Sequence, residues 1–74
     1  MSTNHSFKLK EGIEFIPLDK LLKLMRLVGS GGEAHKVIEL GMVSVNGETE
    51  IQKRKKMRAG DQVEFNEQVI LVES

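Results

Sequence analysis

The sequence predicts one α+β domain in which two packed helices lie against a small, mostly antiparallel sheet. Apolar residues recur at helical spacing from Leu18 to Val28, and a second short helix is bounded by capping residues. After this helix come short alternating segments separated by tight-turn dipeptides. A length of 74 residues suits a single domain with a small core.

The N-terminal part of the chain is predicted to contribute little to the fold. Residues 1–11 are mostly polar and are expected to form a flexible tail, so that the folded domain spans 12–74. Gly12 to Ile16 places Ile13 and Phe15 on one face, as a short strand does. Pro17 ends this strand and suits the first turn of a helix.

The first helix is predicted from Leu18 to Val28. Its apolar stripe comprises Leu18, Leu21, Leu22, Met25 and Val28, at the spacings that share one helix face. Lys20, Lys23 and Arg26 recur on the other side. A solvated face is the simplest interpretation of these cations, unless they lie beside another basic surface.

The second helix is predicted from about Gly31 to Leu40. Ser30 and Glu33 fit a capping box, in which the hydroxyl accepts the Glu33 amide and the carboxylate accepts the Ser30 amide. Gly41 follows the last turn, where a left-handed residue closes a helix. The residues expected in the core are Ala34, Val37 and Ile38. His35 is expected to be exposed or lightly packed and to have no ligand role.

The rest of the chain is predicted to form the sheet. Met42 to Glu50 is a hairpin, because Asn46-Gly47 is the dipeptide that a type I′ turn requires. A turn at Ala59–Asp61 leads to a strand over 62–65, a second tight turn at Asn66-Glu67 and a last strand over 68–73. The run Val69–Val72 is apolar on both faces, so we expect it to be covered on both sides or to pair with 12–16.

Charge is distributed unevenly along the chain, although the formal net charge is zero. Residues 20–58 carry nine basic and four acidic side chains, whereas residues 59–74 carry four acidic and no basic ones. The cations concentrate in the basic segment, residues 53–58, which contains Lys53, Arg54, Lys55, Lys56 and Arg58. Met57 within it is expected to point inward. A phosphate backbone responds to such a local field rather than to net charge.

No catalytic or cofactor-binding pattern is present in the sequence. A nucleophile needs an adjacent base, but Ser30 is used as a cap and the two histidines lack partners. No ligand cluster suggests a metal, and Gly29–Gly32 lacks the lysine of a phosphate-binding loop. We therefore expect no enzyme activity and no cofactor. The absence of cysteine, signal peptide and membrane-spanning run favours a cytoplasmic location.

The basic segment predicts phosphate binding. A solvated turn and a localisation signal are the alternatives, but the segment is bounded by a hairpin and a turn, so folded structure should present it. Lys20, Lys23 and Lys36 are expected to extend its surface from the helices. Only three phenylalanines are present, and Phe15 and Phe65 fit the core, so bases have no stacking platform. Recognition should therefore depend on the phosphates and shape of structured RNA or duplex.

The middle of the chain resembles the RNA-binding domain named after the fourth small-subunit ribosomal protein, whose helix–hairpin core is called the alpha-L motif. The matching residues are Leu18-Asp19-Lys20-Leu21-Leu22, Ser30, Glu33-Ala34, Ile38, Gly41, Val43-Ser44-Val45-Asn46-Gly47 and Gly60-Asp61-Gln62-Val63. The plan of the chain resembles that of the small free-standing bacterial members.

The resemblance implies binding of structured RNA, of the ribosomal or transfer RNA class. Lys36 matches a position that is commonly basic in the family. Two other positions depart from its pattern: Gly31 stands where an RNA-contacting arginine is frequent, and Gln52 stands where the free-standing members often carry arginine. These departures place the expected contacts on Lys53–Arg58.

Two alternatives remain open from the sequence. The acidic residues Asp61, Glu64, Glu67 and Glu73, together with the apolar strand Val69–Val72, would suit a protein-interaction module. A monomer is expected, with weak dimerisation through this strand as an option. A duplex DNA target is the other alternative, because phosphate contacts do not distinguish it from RNA.

Overall fold

The computed structural model describes residues 3–74. Its elements are β1 (Thr3–Lys8), β2 (Ile16–Pro17), α1 (Leu18–Leu24), α2 (Gly31–Glu39), β3 (Val43–Val45), β4 (Glu48–Thr49), β5 (Lys56–Met57), β6 (Gln62–Phe65) and β7 (Gln68–Glu73). The predicted α+β class is confirmed.

One five-stranded sheet has the order β1-β7-β6-β3-β4. Strand β1 runs parallel to β7, and the other neighbours in this sheet are antiparallel. A separate antiparallel pair joins β2 to β5, so the basic segment is attached to the start of α1 rather than to the main sheet. The prediction of a mostly antiparallel sheet is confirmed.

The N-terminal residues form an edge strand. Thr3 pairs with Gln68 and Lys8 with Glu73 in parallel register, and Leu9, which follows the strand, is buried with its amide bonded to the Glu73 carbonyl at 2.7 Å. The predicted flexible tail is therefore wrong for residues 3–9. Residues 1 and 2 lie outside the described chain. A polar segment can form a strand at this edge because the strand is held mainly by backbone hydrogen bonds to its neighbour.

The strand predicted over Gly12–Ile16 is wrong except at its end. Gly12 adopts a left-handed φ of +84° in a turn, and Ile13 is 53% exposed. Only Ile16 and Pro17 are extended and paired, and their partner is β5. The expected pairing of 12–16 with the last strand is likewise wrong, because β1 occupies that position.

Helix α1 ends at Leu24, earlier than predicted. Arg26 has φ +58°. Its amide bonds to the Lys23 carbonyl, and the Leu27 amide bonds to the Leu22 carbonyl, both at 3.0 Å. This is the Schellman arrangement, in which the left-handed position is usually glycine. The apolar residues after Leu24 still pack toward the core, but their backbone is not helical. The apolar periodicity therefore predicted a helix that is too long.

Helix α2 spans Gly31–Glu39, close to its prediction. The Ser30 hydroxyl accepts the Glu33 amide at 3.2 Å, as predicted. The Glu33 carboxylate accepts the Gly29 amide instead of the Ser30 amide, so the reciprocal bond is displaced by one residue. Gly41 closes the helix with φ +76°, which confirms its predicted role.

The core lies between the two helices and one face of the sheet. Its fully buried large side chains are Leu18, Leu21, Leu22, Ile38, Val43, Met57, Val63, Ile70 and Val72. Alternate residues of β7 point away from this core, and Leu71 is 39% exposed. The expectation that Val69–Val72 is covered on both sides is therefore wrong.

Both predicted tight turns are present. Asn46 and Gly47 have φ of +51° and +86°, as a type I′ turn requires. Asn66 and Glu67 have φ of +51° and +64°, so the second turn uses left-handed backbone without any glycine.

Candidate nucleic-acid interface

The backbone of the basic segment caps the start of α1. The Leu18 amide donates to the Lys55 carbonyl at 2.9 Å, and the Asp19 amide donates to the Lys53 carbonyl at 3.0 Å. Pro17, at the N-cap position, makes no side-chain cap. Because the first amides of a helix lack intrahelical partners, the basic segment satisfies donors that would otherwise need water or a capping side chain.

The other end of the segment is held by pairing and burial. Lys56 and Met57 pair with Pro17 and Ile16, and Met57 is fully buried, which confirms its predicted inward direction. Strand alternation then directs the neighbouring cations outward, so Lys56 and Arg58 are exposed. The segment is thus fixed at both ends, as its position in the sequence predicted.

Asp61 joins the segment to the β3–β4 hairpin. Its carboxylate accepts the Arg58 amide at 2.8 Å and the Asn46 side-chain amide at 3.1 Å. The side-chain oxygen of Asn46 in turn accepts the Gln62 amide at 2.9 Å. The bond from the Arg58 amide has the largest effect and lowers the pKa of Asp61; burial opposes it, and the bond from Asn46 adds a smaller lowering. Asn46 therefore serves the turn and also fixes the end of the basic segment.

Phe15 lies beside the segment and is only partly buried, so its predicted core position is wrong. The Lys56 Nζ lies 5.1 Å from the ring centroid, and the Arg58 Cζ lies 5.9 Å from it. Both distances suit cation–π contacts. Phe65, by contrast, is buried as predicted.

Lys53 is already paired within the molecule. Its ammonium contacts the Glu39 carboxylate at the end of α2, and the hydrogen bond from Lys53 lowers the pKa of Glu39. The Lys53 and Glu39 side chains are 41% and 55% exposed, so the pair is open to competition from another anion. Arg54, next to it in a turn, is exposed.

The helix lysines lie at different distances from the segment. Lys20 lines the same groove as Phe15. Lys36 is three residues before Glu39 and so shares a helix face with the partner of Lys53. Lys23 lies one turn beyond Lys20, farther from the end that the segment caps. All three are exposed.

Acidic side chains border the segment on the hairpin side. A groove between hairpin and segment is lined by Lys55, Lys56 and Arg58, and also by Glu48, Glu50 and Asp61. No sequence pattern indicated that these carboxylates lie near the cations. Three of the five cations of the basic segment therefore share a groove with carboxylates, which would repel a phosphate placed there.

One contact between the helices had no signal in the sequence. The His35 Nε2 lies 2.8 Å from the Asp19 Oδ2, and the Asp19 side chain is 14% exposed. Asp19 thereby connects α2 to the helix start that the basic segment caps. His35 is half-exposed, as expected, but it has a structural partner.

Together these elements define a small helix–hairpin domain in which a basic segment is attached to the start of α1. A family model for the S4 domain matches residues 7–73. The chain therefore belongs to the S4 domain family, which confirms the resemblance noted from its motifs. No curated protein matches the sequence.

The chain is also similar to a solved structure, that of YbcJ from E. coli. The two are 35% identical, with a TM-score of 0.73, and the match covers 100% of this chain and 92% of YbcJ. The YbcJ solution structure is described as revealing an alpha-L motif involved in RNA binding. Neither helix within residues 3–74 is long and apolar enough to cross a membrane.

Proposed function

We propose that this protein binds structured RNA without catalysing a reaction, and that the basic segment supplies the main phosphate contacts. The observation that carries the proposal is the attachment of the segment to α1, where the carbonyls of Lys53 and Lys55 accept the first helix amides. Membership of the S4 domain family and similarity to an RNA-binding alpha-L protein support it.

Rigid presentation matters because the cations repel one another. Holding like charges side by side costs free energy at a protein surface, and a flexible segment would lose further entropy when it bound RNA. Here the backbone hydrogen bonds and the buried Met57 have already restricted the segment. A phosphate backbone then gains several cationic contacts at once, with release of its counterions.

The proposed contacts differ in accessibility. Arg54, Lys56 and Arg58 are exposed and form the centre of the surface. Lys53 contributes after it leaves Glu39, and Lys55 is half-buried beside the hairpin. The helix residues proposed to extend the surface are Lys20, Lys23 and Lys36. Phosphate contacts of this kind favour the shape of folded RNA over base sequence, and we propose ribosomal or transfer RNA in the cytoplasm as the class of target.

Salt dependence tests the proposal directly. If about four phosphates are neutralised, the logarithm of the affinity should fall with that of salt concentration at a slope of roughly −3 to −4. Replacing Lys53, Arg54, Lys55 and Lys56 together by alanine should remove most of this slope, measured by anisotropy with a labelled RNA hairpin. Unchanged binding by a variant that stays folded would reject the assignment.

A matched pair of single variants separates a local contact from overall charge. Arg54→Ala and Lys8→Ala each remove one exposed cation, the first from the basic segment and the second from β1. Arg54→Ala should reduce the salt slope by about one, and Lys8→Ala should leave it near the wild-type value. Competition with duplex DNA and single strands then establishes whether folded RNA is preferred.

A protein-interaction role is the second candidate, favoured by the exposure of Leu71 on the outer face of β7. If two copies associate through this face, gel filtration should show a dimer that depends on concentration and is lost on Leu71→Lys. A monomer at all concentrations in both proteins would argue against self-association.

A further inference from the structure

An apolar groove lies beside the basic segment, between the end of β1 and helix α1. Its volume is about 430 Å³, and its apolar lining includes Phe7, Leu9, Ile13, Phe15 and Leu24. Ile13 and Leu24 are 53% and 52% exposed, so the groove presents apolar surface to solvent. The exposed cations Lys10 and Lys20 line it as well.

Phe15 connects this groove to the basic segment. Its ring lines the groove and also lies within 6 Å of the charged groups of Lys56 and Arg58. The aromatic ring is therefore adjacent to two cations of the segment, and two further lysines line the groove that the ring borders. A ligand that matches this surface has a flat apolar part joined covalently to negative charge, which is the chemistry of a nucleotide.

We propose that the groove binds one unpaired nucleobase of the RNA, stacked on Phe15, while Lys56, Arg58 and Lys20 contact the phosphates on either side of it. This inference rests on the proposed function and narrows its target to structured RNA with a bulged or loop nucleotide next to a duplex. Unpaired bases stack on aromatic side chains in many RNA complexes, whereas paired bases cannot reach them.

Continuity of the two surfaces favours RNA over a protein or lipid ligand. Phe15 lines the groove and contacts the basic segment, so one ligand would contact both surfaces. The segment is already proposed to bind phosphates. An amphipathic peptide helix would instead need a row of apolar pockets along several turns, and this groove is short. Lys56 and Arg58 are exposed, so their side chains are free to move from the ring to the phosphates.

The test compares two RNA hairpins that are identical except for one unpaired adenosine in the stem. Wild-type protein should bind the bulged hairpin roughly tenfold more tightly than the uninterrupted one, as stacking of one base allows. Phe15→Leu should bring this ratio close to one, whereas Phe15→Trp should preserve or increase it. Leu40→Ala, which alters an apolar side chain that is 64% exposed and lies outside the groove, should leave the ratio at the wild-type value.

A fluorescent base provides an independent readout. With 2-aminopurine at the bulge, binding of wild-type protein should raise the emission as the base leaves its neighbours in the stem, and Phe15→Leu should reduce this rise. Leucine keeps apolar volume at the half-buried position, and thermal unfolding verifies that each variant is folded.

The two proposals fail in different ways. Equal affinity for both hairpins, with no effect of Phe15→Leu on the ratio, would overturn the base-stacking inference while phosphate binding stands. If neither hairpin binds at low salt, the RNA-binding proposal itself fails, and the groove inference fails with it.

Discussion

Helices α1 and α2 pack against each other but are delimited in different ways. Helix α2 is self-contained, because Ser30 caps its start and Gly41 closes its end. Helix α1 has no capping side chain, and its first amides bond to the carbonyls of Lys53 and Lys55. Its end has Arg26 at the left-handed position that glycine takes in α2.

The difference shows how the molecule divides its residues between scaffold and surface. The ends of α2 use residues found at helix ends in general. The start of α1 is capped by backbone carbonyls of the basic segment, and its end has a charged residue, Arg26, in left-handed backbone. The fold of α1 and the position of the cations therefore depend on each other. Loosening the basic segment that caps α1 should therefore weaken RNA binding more than an equally destabilising change in the core of α2.

The largest effect is expected when a fully buried side chain is truncated, either Met57 in the basic segment or Ile38 in α2. Met57→Ala and Ile38→Ala each remove a fully buried side chain and should each lower the free energy of unfolding by about 2–5 kcal/mol in urea titrations. A domain this small has little stability to lose, so RNA binding is better measured on the milder variants Met57→Leu and Ile38→Val.

These milder variants distinguish the two regions. Each should cost no more than about 1.5 kcal/mol and remain folded. Met57→Leu should weaken RNA binding, because it loosens the segment that carries the cations, and Ile38→Val should not. Equal RNA affinities at equal stability would show that the position of the segment does not depend on this anchor.

The helix ends should respond in opposite directions to substitution. Gly41→Ala places a Cβ at φ +76° and should cost about 1–2 kcal/mol. Arg26→Gly relieves the same conformation at the end of α1 and should stabilise the protein by roughly 0.5–1 kcal/mol. Arg26→Lys keeps the strained backbone and serves as the control. Thermal and urea unfolding measure all three, and a loss of stability in Arg26→Gly would contradict the comparison.

Acid should weaken the hydrogen bonds that Asp61 accepts at the C-terminal end of the basic segment. The bond from the Arg58 amide lowers the pKa of this carboxylate in the folded protein, so its stabilisation is present above the unfolded-state pKa of about 3.9. That stabilisation is lost as the pH falls through the folded-state pKa. At pH 7, Asp61→Ala should cost about 1 kcal/mol, and its deficit against wild type should shrink when unfolding is measured below about pH 4.

The smallest effect is expected where the two regions meet, at the pair of Lys53 with Glu39. Glu39→Gln removes the anion that competes with RNA for Lys53 and should raise RNA affinity by at most about fivefold, given the size of exposed ion pairs. Glu64→Gln makes the same charge change at an exposed position on β6 and should have less effect. Equal gains in the two variants would indicate a response to net charge only.

The predictability of each region from sequence follows from the same difference. Helix α2, both tight turns and the inward direction of Met57 depend on neighbouring residues, and local patterns predicted them. The position of Phe15 depends on contacts with residues distant in the chain, and α1 ends at a left-handed residue that is not glycine. Periodicity could not detect a left-handed Arg26, since arginine is not the residue expected there.

The candidate site was likewise predictable only in part. The sequence located the cations and the structural elements on either side of them. The assignment of those cations to RNA contacts stays a prediction. It could not reveal that Glu39 engages Lys53 or that Glu48 and Glu50 border the segment, because these approaches arise from tertiary packing. Edge strand β1 was missed for a similar reason, since its partner is the last strand of the sheet.

The parallel pairing of β1 with β7 has a kinetic consequence. Thr3 meets Gln68 in this register, so nearly the whole chain intervenes between the two strands, and closing so long a loop is entropically slow. Strand β1 should therefore join last during folding and detach first during native-state opening. Hydrogen exchange should be faster at its amides than at those of β6, which has a partner on both sides.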